Sequence, residues 1–249
     1  MRKLIAALAC RNQGSRLYGK PLQNLDIANR INVLDNVIDC LQYFECIEDI
    51  VLGIAEGNDN LAFIDYAKKK GLGHIIGDEI DVLGRLIQCG EHTNATDIFR
   101  VTSESPFPYF EMIDEGWKEH LQNQNDATFL DDIIDGCGFE IIRLDALKES
   151  HQKGQEKHRS ELCTLYIREC KDIFKIQKIL PPKELIRRDI RLTVDYPEDL
   201  IVCRAVFKRF QSSAPFVPLL DVVEFLDEDE FLRGLVAPFC EIGYGTMYL

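Results

Sequence analysis

The stretch that decides the fold is KLIAALACRNQGSRLYGKP, residues 3–21. Its first part is apolar almost without interruption, which is typical of a strand covered on both faces of a parallel sheet. The part that follows is polar and carries three cations, Arg11, Arg16 and Lys20, on a chain that is otherwise acidic. Because open α/β sheets bind ligands beyond the carboxyl ends of their strands, the stretch predicts a buried strand leading into an anion-binding loop.

The spacing of Gly14, Gly19 and Lys20 follows the phosphate-binding loop of ATPases up to its last position. That loop requires Ser or Thr next, because the hydroxyl ligates Mg²⁺, and here the residue is Pro21. It also requires a helix to begin at the lysine, and no helical pattern appears before about Asn32. The ATPase interpretation is therefore disfavoured. A solvated Gly/Ser turn stays open as the alternative to a triphosphate site in which glycine lets the backbone approach an anion.

Composition limits the remaining classes. A chain of 249 residues with 46% hydrophobic and 29% charged residues can bury the core of one large domain or two small ones. A formal charge of −13 without a basic stripe argues against nucleic acid as a partner. No apolar run reaches about 18 residues, so no membrane span is predicted. Nine cysteines without C-x-x-C spacing indicate core residues of a reduced, cytoplasmic protein.

Strand-like and helix-like segments alternate along the chain. Predicted strands are 3–10, 49–56, 73–78, 96–104 and 126–130. Predicted helices between them are 32–44, 58–71, 81–92 and 110–122. This series predicts an α/β fold: a Rossmann-like three-layer sandwich around a mainly parallel sheet.

The second half of the chain is less regular. Strands are predicted at 139–147, 174–180 and 190–195. Helices are predicted at 159–170, 197–211 and 219–235. We expect a single domain, 1–249, with a nucleotide-binding half, 1–135, and an elaborated acceptor-binding half, 136–249.

At residues 10–22 the pattern C-R-N-Q-G-S-R-L-Y-G-K-P-L resembles the A-R-x-x-S-x-R-L-P-G-K-P-L signature of the cytidylyltransferases that activate sugars. These include the CMP-KDO synthetases, the CMP-acylneuraminate synthetases and, closest in spacing, the branch of spore-coat polysaccharide biosynthesis. Four later segments resemble further motifs of that family in the same order. They are GDEIDVLGRL (77–86), FRVTSESPF (99–107), HRSELCTLYI (158–167) and RLTVDYPEDL (191–200).

The resemblance implies a Mg²⁺-dependent transfer of CMP from CTP to a sugar, sugar acid or related small acceptor, with release of pyrophosphate, for glycan precursor synthesis. It implies Arg11, Arg16 and Lys20 as catalytic groups. The implied nucleotide-binding residues are Leu8, Ala9, Arg11, Gly14, Ser15, Arg16, Lys20, Arg85 and Thr102. The implied acceptor-binding residues are Glu140, Arg159 and Glu161. A homodimer is expected by analogy.

The resemblance also implies Glu104 and Asp195 as ligands of Mg²⁺, a hard ion that prefers carboxylate and phosphate oxygens. Each carboxylate has a structural alternative. Asp195 could cap the helix that begins near Pro197, Glu104 could face solvent at a strand end, and Glu140 could serve the sheet. The five histidines are expected at the surface, and the aromatic residues of 107–110 are expected to pack rather than line a pocket.

Two departures from the family pattern keep other functions open. Leu162 replaces a histidine, which allows a phosphorylated or phosphonate acceptor, and the base could be that of another nucleoside triphosphate. Ser103 and Glu104 replace Gly-Asp, which with Leu162 also allows a catalytically inactive nucleotide-binding relative.

Overall fold

The computed structural model describes the backbone of residues 2–247 and the side chains of residues 2–243. Within that part the strands are β1 (Leu4–Cys10), β2 (Asn24–Asp26), β3 (Ile31–Asn32), β4 (Ile47–Ala55), β5 (Gly73–Gly77), β6 (Asp97–Arg100), β7 (Ala127–Leu130), β8 (Phe139–Arg143) and β9 (Ile176–Lys178). The helices are α1 (Val33–Leu41), α2 (Leu61–Lys70), α3 (Val82–His92), α4 (Ile113–Gln122), α5 (Leu144–Lys153), α6 (Leu165–Glu169), α7 (Pro197–Arg209), α8 (Leu219–Glu228) and α9 (Glu230–Met247).

Seven strands form the central sheet in the order β5-β4-β1-β6-β8-β7-β9. The pairs β5–β4, β4–β1, β1–β6 and β7–β9 are parallel. Alternate side chains of β1 enter two different hydrophobic cores, with Leu4 and Leu8 in one and Ile5 and Ala7 in the other. Helices therefore cover both faces of a mainly parallel sheet, and the predicted three-layer α/β fold is confirmed.

The antiparallel strand β8 departs from the predicted topology. It lies between β6 and β7 and is antiparallel to both, so the predicted fifth strand, 126–130, is not the neighbour of β6. An apolar run does not show which way its strand points, and the sequence pattern could not show this insertion. Because β8 runs in the opposite direction, its amino end lies at the sheet edge where β6 ends, and this places Glu140 opposite Arg100.

Four predicted elements in the second half need correction. The strand predicted at 139–147 ends at Arg143, and the predicted helix 159–170 is helical only in α6. The segment 190–195 forms no strand, and its only ladder contact is a single bridge from Arg191 to Asp135. The helix predicted at 219–235 is split into α8 and α9, because Asp229 leaves the helical conformation and its side chain accepts from the backbone N–H of Leu232 at 3.0 Å.

Several smaller expectations can be compared with the side chains. The cysteines are all free and seven of the nine are buried, as predicted for core residues. Phe107 and Tyr109 are buried in the core, which confirms packing for the aromatic cluster. The surface prediction is wrong for His120 and His158, which are buried and held by Asp97 and Glu169 respectively. Among residues 2–247, no helix combines the length and apolarity needed to cross a bilayer.

Candidate active site

The loop after β1 has a fixed backbone. Gly19 adopts the left-handed conformation with φ of 61°, and its N–H donates to the carbonyl of Asn12 at 2.9 Å. A Cβ atom at Gly14 would lie 2.5 Å from the carbonyl oxygen of Leu17, so only glycine fits there. The backbone N–H of Asn12 donates to Asn60 Oδ1 at 2.7 Å, which ties the loop to the start of α2. Hydrogen bonds and the steric requirement for glycine therefore fix the backbone of the loop 11–20.

The three cations of this loop face carboxylates from distant parts of the chain. Arg16 and Lys20 both donate hydrogen bonds to the carboxylate of Asp195. The Arg16 guanidinium also lies over the ring of Tyr196, 4.8 Å from its centroid. Partial burial of Asp195 opposes its ionisation, yet the hydrogen bonds and charges of Lys20 and Arg16 outweigh burial and lower the pKa of this carboxyl. The predicted cationic loop and the predicted metal-binding aspartate thus meet in one place.

A buried network of ion pairs and hydrogen bonds fixes the segment that carries Asp195. Asp199 accepts hydrogen bonds from the backbone N–H groups of Asp195 and Tyr196 at 2.9 and 2.8 Å. Arg191 donates to Asp199 at 3.0 Å, to Asp135 at 2.5 Å and to Asp195 at 3.3 Å. The carboxylate that caps the start of α7 is therefore that of Asp199, which leaves the side chain of Asp195 turned toward the basic loop.

Burial is the main reason that the pKa of Asp135 is raised to about 6, and the nearby charges of Asp199 and Asp195 add to it against the opposing charge of Arg191. This buried carboxyl shares Arg191 with two others, so the network under the site is rich in negative charge. Arg16 and Lys20 of the basic loop supply positive charge that compensates this excess of negative charge.

The backbone of Glu104 is hydrogen-bonded to the segment that carries Asp195. The N–H of Val194 donates to the carbonyl oxygen of Glu104 at 2.9 Å, so the two carboxylate-bearing segments run side by side. The hydroxyl of Ser103, which replaces the family's glycine, lies 2.8 Å from the carbonyl oxygen of Ala9 and 3.2 Å from the Glu104 carboxylate, and its single proton is shared between these two acceptors. The Ser103 hydroxyl thus ties the end of β1 to the loop that carries Glu104.

A pocket opens between the basic loop and the end of β6, and we call it the nucleotide pocket. Its lining comprises Ala9, Arg11, Gln13, Lys20, Pro21, Val82, Arg85, Leu86, Arg100, Val101, Thr102, Ser103, Glu104 and Glu161. Most of the predicted nucleotide-binding residues meet here or on the adjoining loop. Leu8 does not line it, and its side chain is fully buried in the core. The resemblance implies a role for the backbone groups of Leu8, and that role stays a prediction.

Arg85 is an unusual group in this pocket. It is 1% exposed, and one guanidinium nitrogen donates to the carbonyls of Cys10 and Gly53 at 3.2 and 2.8 Å. Among the described residues no carboxylate forms an ion pair with it, and burial lowers the pKa of its guanidinium. A buried cation without a counter-ion at the floor of a pocket is suited to an electron-rich oxygen of a ligand.

A second pocket lies next to the first, and we call it the acceptor pocket. Its lining comprises Arg100, Val101, Thr102, Leu130, Asp131, Gly136, Gly138, Phe139, Glu140, Glu161, Leu162, Thr164, Leu165, Arg168 and Lys178. The two pockets share Glu161 and residues 100–102. Ligands in the two pockets would therefore lie on either side of a shared wall at the end of β6.

The three predicted acceptor residues are in different situations. Glu140 is buried in the acceptor pocket and bound by arginines. Glu161 is exposed, lies between the pockets and pairs with Arg11 at 3.4 Å. Arg159 lines neither pocket, and its guanidinium donates to the carbonyl of His151 at 3.2 Å.

Sequence reasoning did not assign a role to several site residues: Arg100, Asp131, Arg168, Lys178, Arg191 and Asp199. Their cations and carboxylates come from separate segments, and no local motif links them. One signal was available, because the motif at 191–200 contains Arg191 and Asp199 at a spacing that suits an N-terminal helix cap with a buried partner.

No family model matches the chain. Two curated proteins are similar over nearly its full length. A protein of Methanocaldococcus jannaschii, described as uncharacterised, is 27% identical over 233 residues, 94% of each chain. A spore coat polysaccharide biosynthesis protein of Bacillus subtilis is 22% identical over 231 residues, 92% of this chain and 96% of the other.

Solved structures show the same fold. A cytidylyltransferase from Leptospira borgpetersenii superimposes with a TM-score of 0.83 at 20% identity, covering 94% of this chain and 97% of its own. A CMP:2-keto-3-deoxy-manno-octonic acid synthetase complexed with CTP gives a TM-score of 0.62 at 12% identity, covering 83% of this chain and 99% of its own. The nucleotidyltransferase fold is thus confirmed, and the resemblance seen in five short motifs extends to whole-chain similarity.

Proposed function

We propose that this protein is a cytidylyltransferase, which transfers CMP from CTP to a small acceptor and releases pyrophosphate. The observation that carries the proposal is the joint hydrogen bonding of Arg16 and Lys20 to Asp195, about 180 residues away. Cations for a triphosphate and a carboxylate for a divalent ion thus lie at one sheet edge. Similarity to a cytidylyltransferase, to a synthetase complexed with CTP and to a spore-coat polysaccharide protein supports the reaction and a role in glycan precursor synthesis.

The donor set fits Mg²⁺ carried by a nucleotide. Among the residues with described side chains, no group of three or more acidic, His or Cys residues could hold a metal unaided. Mg²⁺ is commonly bound by one or two carboxylates together with substrate phosphates, and Asp195 and Glu104 lie on adjoining segments. Asp195 would hold the ion and Glu104 would complete the site directly or through water. When bound, the ion neutralises charge on the phosphates.

The basic loop would hold the leaving pyrophosphate. On binding, the phosphates would take over Arg16 and Lys20 from Asp195, which frees the carboxylate for the metal. Gly14 and Ser15 would let the backbone approach the phosphates closely. As the acceptor oxygen forms its bond to the α-phosphorus, the bond to the β-phosphate oxygen breaks, and Arg11, Arg16 and Lys20 would stabilise the charge that collects on pyrophosphate.

Arg85 and Thr102 would position the nucleoside end. Arg85 has donors that no carboxylate satisfies among the described residues, so its guanidinium suits a carbonyl oxygen of the base or a phosphate oxygen. Thr102 lines both pockets, and its hydroxyl is held 2.5 Å from that of Ser105. Ala9 completes the wall, since it lines the same pocket at the end of β1. We place the reaction in the cytoplasm, in keeping with the free thiols of all nine cysteines.

The test is pyrophosphate release with each of the four nucleoside triphosphates, Mg²⁺ and a panel of sugars, sugar phosphates and sugar acids. We expect release that requires CTP and an acceptor and that stops when EDTA removes the metal. Release with another triphosphate in preference to CTP would reassign the base. Tight CTP binding without release for any acceptor would favour an inactive relative.

A further inference from the structure

We propose that the part of the acceptor held in the acceptor pocket is an uncharged, hydroxyl-rich body, and not a sugar acid. The inference rests on the proposed function and narrows its substrate class. It comes from the charges that line the acceptor pocket, which cancel one another through direct contacts. Two arginines, Arg100 and Arg168, face two buried carboxylates, Asp131 and Glu140, in a single connected row.

Most donors of Arg168 are already used by groups of the protein. Its Nε donates to the hydroxyl of Thr164 at 3.0 Å, and its two terminal nitrogens form a bidentate pair with Asp131 at 2.7 and 2.9 Å. One of those nitrogens also donates to Glu140 at 2.6 Å. Four of the five N–H groups of its guanidinium are thus used. The group also packs over the ring of Phe129, 3.7 Å from the centroid, which fixes its plane.

Glu140 joins the two arginines. Its second oxygen accepts from Arg100 at 2.5 Å, and its first also accepts from the hydroxyl of Thr164 at 2.7 Å. Burial would raise the pKa of Glu140, but the charges of Arg100 and Arg168 outweigh it and lower the pKa to about 2. The carboxylate is therefore ionised at every physiological pH. Arg100 is further committed, because its other terminal nitrogen donates to the carbonyl of Glu161 at 2.9 Å.

Little positive charge is left for an anionic ligand among the side chains that line this pocket. Lys178 lies at the rim with its side chain 52% exposed, and its Nζ is 3.5 Å from Asp131. A carboxylate that entered the pocket would lose its water and meet two buried carboxylates without a free arginine to pair with. A sugar hydroxyl can donate to carboxylate oxygens that retain unused lone pairs, and it carries no such penalty.

The oxygen that attacks CTP is a separate matter, because it must lie at the boundary with the nucleotide pocket. Arg11 and Glu161 meet there, and a hydroxyl or a phosphate could be accommodated. A free sugar and a sugar phosphate differ in the oxygen that attacks, but both contain the uncharged body that the inference requires. The experiment therefore includes both.

The test compares matched pairs in the gluco, galacto and manno series: each aldose with its uronic acid, and each aldose 1-phosphate with its uronic acid 1-phosphate. With CTP and Mg²⁺, we expect the uncharged-body member of a reactive pair to exceed its acid in kcat/KM by at least about tenfold. A preference for the uronic acid in any pair would overturn the inference, and so would failure of every uncharged-body member.

A variant makes the charge argument testable within one preparation. Asp131→Asn keeps the side-chain shape but leaves Arg168 with uncompensated charge, so we expect the acid-to-uncharged ratio of kcat/KM to rise about tenfold. Because both acceptors are assayed on the same sample, the ratio does not depend on the folded fraction. The matched control is Asp145→Asn, an exposed residue that pairs with Arg143, lines neither pocket and should leave the ratio unchanged. An unchanged ratio in Asp131→Asn contradicts the inference.

Binding of CTP separates the two levels of the argument. If calorimetry shows no CTP binding in the presence of Mg²⁺, the proposed function fails and the acceptor class fails with it. If CTP binds and sugar acids are the substrates, the proposed function stands and only the acceptor class is wrong.

Discussion

The nucleotide pocket and the acceptor pocket share one wall but differ in the exposure and the ion pairing of their arginines. On the nucleotide side, Arg11 and Arg16 are more than 40% exposed, and Arg85 is buried without an ion-pair partner in the described chain. On the acceptor side, Arg100 and Arg168 are tied to buried carboxylates. Exposed or unpaired positive charge therefore marks the place for a polyanion, and positive charge cancelled by buried carboxylates marks the place for a neutral group.

The largest effect is expected from Asp195→Asn, which tests whether the nucleotide side is organised around a metal-binding carboxylate. The amide keeps the shape but loses the charge that would hold the ion, so we expect kcat to fall about 10³-fold. Melting temperature and CTP binding check that the protein is folded. Asp189→Asn, a surface change at a residue paired with Arg187, is the control and should keep wild-type turnover. A rate within threefold of wild type would show that Asp195 holds no catalytic metal.

The loss of unfolding free energy at acid pH should come mainly from Glu140 in the acceptor pocket. Because the pKa of Glu140 is about 2, below its ordinary 4.5, its contribution to the free energy of unfolding is complete above pH 4.5 and is lost as the pH falls to about 2. The full contribution is of the order of 3 kcal/mol. Denaturant melts at several pH values should show this slope in the wild type and lack it in Glu140→Gln. The exposed Glu115→Gln variant should keep it, and an equally steep slope in Glu140→Gln would show that the arginines do not control this carboxyl.

Lys20→Ala tests the charge that faces the triphosphate. Removal of one charge-assisted contact, about 1.5–3 kcal/mol, should raise the CTP concentration needed for half-maximal rate by roughly 10–100-fold. Lys208→Ala on the exposed face of α7 is the matched control. Identical CTP dependence in both variants would show that residues 14–21 form an ordinary turn that does not bind the triphosphate.

Arg85→Met is expected to have the smallest effect and sharpens the comparison between buried cations. The apolar side chain loses the hydrogen bonds to the carbonyls of Cys10 and Gly53, but it also removes the cost of a buried charge, so CTP affinity should fall about tenfold with only a small change in melting temperature. A drop in melting temperature with unchanged CTP affinity would mean that Arg85 supports the sheet and not the nucleotide. Wild-type titrations in the same buffer provide the reference.

The same comparison shows what could be predicted from sequence. The nucleotide side is built from contiguous stretches, so the strand at 3–10 and the basic loop after it could be identified from local pattern. The capping alternative for Asp195 required the structure, because Asp199 could equally have been exposed. The roles of Arg16, Lys20 and Asp195 around one triphosphate were implied by the family resemblance, and the expectation that ligands bind beyond the carboxyl ends of the strands agreed with it.

The acceptor side could not be predicted in this way. Arg100 meets Glu140 only because β8 is antiparallel to β6, and an apolar run does not encode strand direction. Arg168 lies on a helix of five residues, too short to give a periodic signal. The resemblance directed attention to Arg159, whereas Arg168, nine residues later, lines the pocket together with Arg100.

The central claim is that the cationic loop and the carboxylate of Asp195 converge on one triphosphate. The most direct measurement is a crystal structure with CTP and Mn²⁺, in which anomalous scattering locates the ion. The account predicts one anomalous peak that contacts Asp195 and the phosphates, with Arg16 and Lys20 on the β- and γ-phosphate oxygens. A triphosphate bound away from this loop, or an ion that does not touch Asp195, would contradict it.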